Sequence, residues 1–501
     1  MFVVVLLFSV LCILAAMLAS KKQEKLEGSR ENHTLLSFFM GGRSLGGFVL
    51  AMTLVSTFTS SSSFLGGPGT AYEKGLAWAF LSMIQVPTAF IVLGVLGKKF
   101  AVISRKINAV TVNDFLRARY RNPALVIFCS LALILFFVAQ MMAQFRGGAI
   151  LFQAITGLNY QVCLVLFGIL VISYTAFGGF TAVAVTDAIQ GLLMVIGGII
   201  ILVVVVVNAG GPETMVDTLN QVNPGWDTVW GAGDSMPLAY MLSFWVLVGV
   251  GVLGLPQTAV RAMSFQNTKA MHNAMIYGTI VVGFLMLAVH IAGAFSPAVI
   301  TMEEVTRLLG AEAGADTIIS AVVLKYCSPL VAGLFFAAPL AAIMSTVDSL
   351  LLLAAAALVK DLYVNYLVKD RTVIPTEGFQ KRLGNLSMTV TVFLGIVVIA
   401  CGLTNPESIV TLNLYAMGGL ECAFFFPVVG GLYWKKAKAS GALPAAVLGV
   451  LTFIAASEWN WKFFGLEPVV PAMLITGFVF WAGSLLGKKE EPERLELFFP
   501  E

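Results

Sequence analysis

The stretch that decides the fold is Ala51-Met-Thr-Leu-Val-Ser-Thr-Phe-Thr-Ser-Ser-Ser-Ser-Phe-Leu-Gly-Gly-Pro-Gly69. Hydroxyl side chains crowd the middle of this apolar run, and Gly66, Gly67, Pro68 and Gly69 close it. Glycine and proline weaken a helix by about 1 and 3 kcal/mol, and hydroxyls can bond to backbone groups that a local break frees. The pattern therefore predicts a membrane helix broken near its midplane, with oxygens that suit a hard cation. A small-residue packing face explains these residues equally well when they are taken alone.

The composition excludes a water-soluble fold. Of the 501 residues, 58% are hydrophobic and only 11% are charged, whereas a soluble protein carries about 25% charged residues. A soluble enzyme, a nucleic-acid-binding protein and a disordered scaffold are therefore poor interpretations. The six cysteines are scattered and show neither paired metal spacing nor a disulfide framework. We predict a polytopic membrane protein.

Long apolar runs without alternation predict all-α structure, because each run is long enough for a helix to cross a bilayer core of about 30 Å. Thirteen transmembrane helices are expected at 2–19, 47–66, 76–97, 124–150, 160–178, 185–208, 237–258, 273–296, 328–359, 384–403, 407–433, 441–457 and 467–486.

The basic residues orient these spans. With the N-terminus outside, 25 of the 30 lysines and arginines fall in cytoplasmic segments, as the positive-inside rule requires. We therefore predict an external N-terminus and a cytoplasmic C-terminus. No basic residue precedes the run 2–19, and Lys21, Lys22 and Lys25 follow it, which favours a retained first helix over a cleaved signal peptide. The tail from Lys488 is expected to be solvated.

A second polar cluster interrupts the ninth span, which reads Phe335-Phe-Ala-Ala-Pro-Leu-Ala-Ala-Ile-Met-Ser-Thr-Val-Asp-Ser349. Ser345 and Thr346 adjoin, and Ala342 lies one helical turn before them. Both hydroxyls can point toward one neighbouring helix while Ala342 offers a carbonyl nearby. Pro339 removes one helical hydrogen bond and is expected to bend the helix.

At these residues the chain resembles the sodium/solute symporter family, and the resemblance covers nearly the whole chain. Two signatures carry it, Tyr174-Thr-Ala-Phe-Gly-Gly-Phe180 and Gly431-Leu-Tyr-Trp-Lys-Lys-Ala-Lys-Ala-Ser-Gly-Ala442, and the second departs slightly from the family pattern just beyond Ala445. Within the family the chain is most similar to members that transport pantothenate. The segments behind this similarity are 41–53, 60–74, 254–261 and 337–363.

The resemblance implies a LeuT-type fold, whose core consists of two inverted repeats of five helices, spans two to six and seven to eleven. It implies one transporter domain over residues 1–501. The parts of this domain are an extra first helix at 1–19, the inverted-repeat core at 47–433, two C-terminal helices at 441–486 and a cytoplasmic tail at 487–501.

Family members hold sodium between the broken first core helix and the eighth, so the resemblance implies a sodium site here. The backbone carbonyls of Ser56 and Thr59 are expected on one side. The Ala342 carbonyl and the hydroxyls of Ser345 and Thr346 are expected on the other. Five neutral oxygens suit a monovalent ion that must also leave, whereas a carboxylate-rich shell favours a divalent ion. The alternative for the two hydroxyls is an ordinary bond to the carbonyl one turn back.

Asp187 is an acid near the membrane core, at the start of the sixth predicted span and close after Gly178-Gly179. An acid there is costly and tends to mark an ion path or an ion pair. The resemblance implies a place on the intracellular exit route of sodium. The alternative is a helix N-terminal carboxylate that interacts with the helix dipole.

The family's substrate contacts fall by position on Ser63, Ser82, Gln85, Trp245 and Gln257. Pantothenate has hydroxyls, an amide and one carboxylate, which serine and glutamine suit. Sugar transporters of the family often have an acid where this chain has Ser82, and its absence removes a repulsion for an anion. Asn413 is a further polar candidate. Arg146, taken from the predicted spans as the only intramembrane arginine, either contacts the carboxylate or extends to the headgroups.

The function implied by the resemblance is sodium-coupled secondary uptake of pantothenate by alternating access. Its partners are sodium as the co-transported ion, pantothenate as the solute and membrane lipid. Sodium-coupled uptake of another small organic solute, such as an amino acid, a monocarboxylate or a sugar, is the alternative. With three histidines, no metal spacing and no activated nucleophile, an enzyme is not expected, and the low content of charged residues argues against a nucleic-acid partner. The expected location is the bacterial inner membrane.

Overall fold

The computed structural model describes residues 1, 3–5, 7–12, 14–15, 18, 45–310, 314–368, 377–404, 408–487 and 492–499, with the backbone alone at 174, 177–182, 377–381 and 492–494. The described chain is mostly helical, and its only extended pairings are two isolated bridges, Leu45 with Phe265 and Phe463 with Leu466. The all-α prediction is therefore confirmed. Most of the predicted first-helix flank, including Lys21, Lys22 and Lys25, lies outside the described residues.

Fourteen helices are numbered along the chain, and shorter helices outside them are given by their ranges. They are α1 (Val3–Cys12), α2 (Gly47–Phe58), α3 (Ser62–Lys74), α4 (Leu76–Lys106), α5 (Pro123–Thr156), α6 (Tyr160–Asn208), α7 (Leu238–Gly254), α8 (Pro256–Ser264), α9 (Thr268–Ala298), α10 (Pro329–Leu367), α11 (Glu377–Gly402), α12 (Ile409–Tyr433), α13 (Ala439–Glu458) and α14 (Val469–Leu486).

Length and composition decide which of these helices can cross a membrane. In the described part of the chain, nine helices are long and apolar enough, and the bent pairs α2–α3 and α7–α8 raise the number to eleven. The other two predicted spans correspond to the shorter apolar segments Val3–Cys12 and Tyr160–Ser173. Every predicted span thus has a helical counterpart, while the count of thirteen crossings stays a prediction.

The predicted interruption between the fifth and sixth spans is not a loop. Residues 160–208 form the single helix α6 of 49 residues, which would be about 74 Å long if it were straight. That length exceeds twice the bilayer core of about 30 Å. Both predicted spans, 160–178 and 185–208, therefore lie within α6, and its backbone stays helical through Gly178-Gly179.

The break predicted for the second span is present, but it lies at the hydroxyl run and not at the glycines. The backbone of Thr59 is extended (φ −96°, ψ 117°), and α3 leaves at 62° to α2. The helix then continues through the Gly-Gly-Pro-Gly sequence as far as Lys74. Pro68 is tolerated there because it lies in the first turn of the α-helical part of α3, where its missing N–H costs little.

The glycines of α3 permit close packing. A Cβ atom at Gly67 would collide with His290 Nε2, and one at Gly69 would collide with the Ala315 carbonyl. The packing-face interpretation therefore holds for the glycines, whereas the broken-helix interpretation holds for the hydroxyls.

A second break lies five spans later, at the equivalent point of the predicted repeat. Leu255 is extended, and α8 begins at Pro256 at an angle of 48° to α7. A π-helical turn lies close to each break, Ser62–Gly66 in α3 and Trp245–Val250 in α7. Broken helices at matching positions are the mark of inverted-repeat transporters, whose solute sites lie between the breaks.

The centre of the bundle is α10, which is 83% buried over its apolar window, more than any other span. It packs against α6 and α5, and the Ala338 methyl occupies the place where Gly197 of α6 lacks a Cβ. Pro339 lies inside the helix. The predicted ion-binding residues of α10 thus lie in the most deeply buried of the described spans.

The predicted cytoplasmic face carries a further helix, Val112–Tyr120. The buried Arg119 guanidinium donates to the carbonyls of Gly431 and Ala437 at 3.1 and 2.8 Å. Phe498, in the helix Pro492–Phe498, is only 1% exposed and packs edge-on against Phe115. The expectation of a solvated tail is therefore wrong for Phe498, whose aromatic side chain is packed inside the protein.

Candidate ion and substrate site

The break between α2 and α3 frees a backbone carbonyl. The Thr59 N–H donates to the Val55 carbonyl at 2.8 Å, but the next N–H, that of Ser60, donates to the Ser63 hydroxyl at 3.4 Å. In an unbroken helix the Ser60 N–H would bond to the Ser56 carbonyl, which is therefore left without its helical donor. Carbonyls at a helix C-terminus also carry the negative end of the helix dipole.

Five oxygens from α2 and α10 meet at this break. The Ser345 hydroxyl lies 3.3 Å from the Ser56 carbonyl oxygen and 3.0 Å from that of Ala342. The Thr346 hydroxyl lies 3.5 Å from the Ser56 carbonyl oxygen and 3.4 Å from that of Thr59. It also lies 2.9 Å from the Ala342 carbonyl oxygen. These five groups, called here the oxygen cluster, are the ones that the sequence analysis named.

The oxygen cluster has too few hydrogens for its contacts. Each hydroxyl has one hydrogen and two lone pairs, so two hydrogens serve five close oxygen–oxygen contacts. The remaining lone pairs face one another in a region where all five residues are buried, and the Thr59 hydroxyl has no hydrogen-bond partner among the described residues. A cation would relieve this crowding. The alternative bond to the carbonyl one turn back is also present, and it leaves the hydroxyl lone pairs available to an ion.

Asp187 is fully buried next to the oxygen cluster. Its Oδ2 accepts from the Thr53 hydroxyl at 2.5 Å, and its backbone carbonyl accepts from the Ser56 hydroxyl at 3.2 Å. Its other carboxylate oxygen, Oδ1, has no hydrogen-bond partner in the described chain. Because α6 is continuous here, Asp187 lies in the interior of a helix, and the alternative of an N-terminal carboxylate is excluded.

Arg261 is a second buried arginine that the sequence analysis missed. Its side chain is 1% exposed, and Nη2 lies 3.9 Å from Asp187 Oδ2. The predicted seventh span ended at residue 258, whereas α8 continues to Ser264 and carries Arg261 into the bundle. The statement that Arg146 is the only intramembrane arginine is therefore wrong. Arg261 was missed because the apolar run that defined the predicted span stops near the break at Pro256, whereas the helical structure continues beyond it.

A cavity, called here the solute cavity, lies beside the oxygen cluster. Thr57, Phe58 and Ser60, which flank the carbonyl donors in sequence, form part of its wall. Four of the predicted substrate residues also line it: Ser63, Gln85, Gln257 and Asn413.

Two further candidates from the sequence lie outside the solute cavity. The buried Ser82 hydroxyl donates to the Ala79 carbonyl at 2.7 Å within its own helix. Trp245 is 56% exposed on the outer surface, and its neighbour Phe244 lines the cavity instead. Consecutive residues of a helix point about 100° apart, so a shift of one residue exchanges the inner and outer faces.

Arg146 is a third predicted substrate residue outside the solute cavity, and it forms an ion pair instead. Its Nε lies 3.6 Å from Asp316 Oδ2, which also accepts from the Ile409 N–H at 3.2 Å. Burial raises the pKa of Asp316, although the Ile409 N–H and the Arg146 guanidinium oppose this effect. Through Asp316, which lies between α9 and α10, Arg146 therefore connects α5 to the first residue of α12, and Arg146 is not among the described residues that line the cavity.

Further polar residues of the solute cavity were not predicted, and they include Thr88, Gln140 and His290. Gln140 Nε2 donates to Asn413 Oδ1 at 3.1 Å, while its own side-chain oxygen has no partner among the described residues. An amide within the apolar run of the fourth span was the signal that could have identified Gln140. Among the described lining residues none is Asp, Glu, Lys or Arg, so a bound solute meets hydroxyl, amide and imidazole groups.

Glu421 lies on α12 one turn beyond Met417, which lines the solute cavity. Its side chain is completely buried, and neither carboxyl oxygen has a hydrogen-bond partner in the described chain. The carboxyl group fills the space where Gly251 lacks a Cβ. An ionised carboxyl in this position would carry a large desolvation cost, so the packing requires a neutral group.

Comparison with known proteins adds to this geometry. The sequence profile of the "Sodium:solute symporter family" matches residues 38–449. The "Sodium/pantothenate symporter" of Escherichia coli is 44% identical over 459 residues, which cover 91% of this chain and 92% of that protein. The protein of the same name from Haemophilus influenzae is 42% identical over 455 residues, with 91% of each chain covered. The "Sodium/proline symporter" of Staphylococcus aureus is 30% identical over 470 residues, covering 91% of this chain and 88% of that protein.

Solved structures show the same fold at low identity. A Na⁺-coupled sialic acid symporter in a substrate-bound, outward-open state superposes with a TM-score of 0.77 at 19% identity, covering 97% and 96% of the two chains. A nucleobase-cation-symport-1 family transporter superposes with a TM-score of 0.54 at 14% identity, covering 92% and 97%. The predicted all-α, LeuT-type membrane fold is confirmed. With a profile match over most of its length and relatives at 44% and 42% identity, the chain belongs to the sodium:solute symporter family.

Proposed function

We propose that this protein takes up pantothenate together with sodium across the cell membrane, by alternating access. The observation that carries the proposal is that the oxygen cluster and the uncharged solute cavity share one broken segment, residues 56–63. The relatives named sodium/pantothenate symporters support pantothenate as the solute.

Sodium acts first in this proposal. An ion in the oxygen cluster attracts the carbonyls of α2 and the hydroxyls of α10 at once, and so fixes the segment between α2 and α3. Thr57, Phe58 and Ser60 belong to that segment and line the solute cavity. Sodium binding therefore completes one wall of the cavity before the solute arrives. This order couples solute binding to sodium binding.

The solute cavity suits a polar monoanion that is recognised by neutral groups. Gln140 and Gln257 each have a side-chain oxygen without a partner among the described residues, and this oxygen can accept from a hydroxyl or amide N–H of the solute. Their amide N–H groups can donate to its carboxylate. Ser63 and Asn413 add a hydroxyl and an amide for the hydroxyl and amide groups of pantothenate. No acidic side chain of the described lining opposes the negative charge.

Sodium leaves in this proposal by way of Asp187. The Ser56 residue that supplies one carbonyl to the oxygen cluster also donates its hydroxyl to the Asp187 backbone. An ion that leaves the neutral oxygen cluster therefore meets a buried carboxylate as the next oxygen site. A path of this kind lowers the barrier for a cation in a region of low dielectric constant.

The chain acts as a multi-pass transporter of the plasma membrane and not as an enzyme. Its basic residues favour an external N-terminus and a cytoplasmic C-terminus. The transport unit comprises the extra first helix at 1–19, the inverted-repeat core at 47–433, the helices at 441–486 and the tail at 487–501.

Uptake of radiolabelled pantothenate into proteoliposomes tests this function. The purified full chain is reconstituted, and an inward sodium gradient is compared with an equal potassium gradient. Sodium-dependent accumulation above the equilibrium level is expected. Accumulation that is equal in potassium would contradict sodium coupling. Sodium-dependent thermal protection without pantothenate uptake would support the ion site but contradict pantothenate as the solute. Proline and sialic acid would then be the first alternative solutes to test.

A further inference from the structure

We propose that Arg261 is a tethered cation that competes with sodium for Asp187 and thereby drives the release of sodium from its exit path. The proposal rests on the sodium coupling proposed above and names a positioning residue for the release step. It starts from a buried guanidinium that touches both broken helices, α10 and the exit carboxylate.

The shortest polar contacts of Arg261 are to neutral groups. Nε donates to the Thr53 carbonyl at 3.1 Å, Nη1 donates to the Gln257 carbonyl at 3.0 Å, and Nη2 donates to the Ser349 hydroxyl at 2.6 Å. Asp187 Oδ2 is more distant, at 3.9 Å from Nη2. The guanidinium is therefore held in place by neutral oxygens while it compensates the charge of the carboxylate at longer range.

Asp187 retains capacity for a second cation. One oxygen accepts from Thr53, and Oδ1 has no partner in the described chain. Ser56, which supplies a carbonyl to the oxygen cluster, also contacts the Asp187 backbone. A sodium ion that leaves the cluster thus meets a carboxylate with a free oxygen.

Two cations cannot share this carboxylate at equal strength. The interaction between like charges is strong in a region of low dielectric constant, and both Asp187 and Arg261 are buried. Sodium at Asp187 therefore weakens the hold of Arg261, and the return of Arg261 expels sodium. The arginine is covalently tethered and returns in every cycle, so release does not depend on another ion entering from the cytoplasm.

The same side chain connects this exchange to the two binding sites. The Ser349 hydroxyl that accepts from Arg261 donates to the Ser345 carbonyl at 3.0 Å, and Ser345 belongs to the oxygen cluster. Gln257, whose carbonyl accepts from Arg261, lines the solute cavity. A displacement of Arg261 therefore disturbs both sites, which is what a coupled release step requires.

The test compares Arg261→Gln, Asp187→Asn and the double variant in proteoliposomes. The readouts are the sodium concentration for half-maximal pantothenate uptake, the maximal uptake rate, and the rate at which bound ²²Na⁺ is released. Removal of the competing cation should lower the sodium half-saturation by about fivefold or more, the lower end of usual couplings between sites. The maximal rate and the ²²Na⁺ release rate should fall with it. In the Asp187→Asn background the same change at Arg261 should leave the sodium half-saturation unchanged.

Arg146→Gln is the matched control, because it removes another guanidinium that is paired with an aspartate, outside the two sites. It should not lower the sodium half-saturation. If Arg261→Gln does not fold, Arg261→Lys and the double variant can still test the proposal. Arg261→Lys retains a cation with fewer hydrogen-bond donors, and the double variant removes both charges. Arg261→Lys should then show a smaller shift in the same direction.

The proposal is overturned if a folded Arg261→Gln protein has an unchanged or raised sodium half-saturation. An equal shift in the Asp187→Asn background would also overturn it, because the arginine would then act through another group. Sodium-dependent thermal protection, measured without any organic solute, reports the same competition. This measurement does not require pantothenate, because it reports only the affinity for sodium. It can therefore test the role of Arg261 even if pantothenate is not the solute.

Discussion

Replacement of Thr346 by valine removes one oxygen from the oxygen cluster and conserves the shape of the side chain. The lost hydroxyl lies within 3.5 Å of three carbonyl oxygens that surround the expected ion. A hydrogen bond to a charged group is worth about 1.5–3 kcal/mol, and we take this as the scale of one hydroxyl–ion contact. Since 1.4 kcal/mol is a factor of ten, the sodium half-saturation should rise about tenfold to a hundredfold.

The assay is the initial rate of pantothenate uptake at increasing external sodium. Thr346→Ser keeps the hydroxyl and should stay close to the parent value, which separates oxygen loss from methyl loss. Ser387→Ala removes a buried hydroxyl that makes the same kind of bond, to the Leu383 carbonyl at 2.9 Å one turn back, but on α11, which supplies no oxygen to the oxygen cluster. An unchanged sodium half-saturation in Thr346→Val, with uptake still sodium-dependent, would refute the assignment of the oxygen cluster.

Three other predictions concern the solute cavity, a buried acid and the inner face. Gln257→Leu should raise the pantothenate half-saturation about threefold to tenfold, the range for one neutral hydrogen bond, and an unchanged value would exclude direct contact. Glu421→Gln should have a melting temperature no lower than that of the parent, because an amide fits where the packing requires a neutral group. Glu421→Lys should fail to accumulate as folded protein. A clear drop in the melting temperature of the glutamine variant would contradict this prediction. Burial alone would raise the pKa of Asp114, but Lys360 at 3.1 Å and the Val110 N–H hold that pKa below its usual range. The resulting stability is present above the unfolded-state pKa of about 3.9 and is lost as the pH falls through the lower folded value. Thermal unfolding should therefore show a loss of stability below about pH 4 that is smaller in Asp114→Asn, and equal losses would contradict the assignment.

The features that the sequence predicted well depend on local composition. Apolar runs set the spans, because a helix that crosses the bilayer core consists of predominantly apolar residues. The hydroxyl pairs of α2 and α10 were recognisable because polar atoms in such runs need a reason to be there. The prediction that Ser56, Thr59, Ala342, Ser345 and Thr346 meet came from the family resemblance. In the structure the Ser345 hydroxyl lies within 3.5 Å of two of the three carbonyl oxygens, and the Thr346 hydroxyl lies within 3.5 Å of all three.

The features that the sequence did not predict depend on tertiary geometry. Gly66 to Gly69 signal a helix end by propensity, yet α3 passes through them. The His290 ring and the Ala315 carbonyl occupy the space that side chains at Gly67 and Gly69 would need, and this packing cannot be seen in the sequence. The family resemblance implied a substrate contact at Trp245, whereas its neighbour Phe244 lines the cavity, because a shift of one residue along a helix exchanges the inner and outer faces. Arg261 was missed because the predicted span stopped at residue 258, beside the break at Pro256.

The residues that we propose to bind the cation come from opposite halves of the chain. Ser56 and Thr59 belong to the first predicted five-helix repeat, whereas Ala342, Ser345 and Thr346 belong to the second. If the chain were divided in the loop between α6 and α7, each fragment would keep its helices and part of the ligand set, and neither would hold a complete coordination shell. Sodium would then act as a ligand of the assembly, so that its concentration would govern how firmly the two fragments associate in the bilayer.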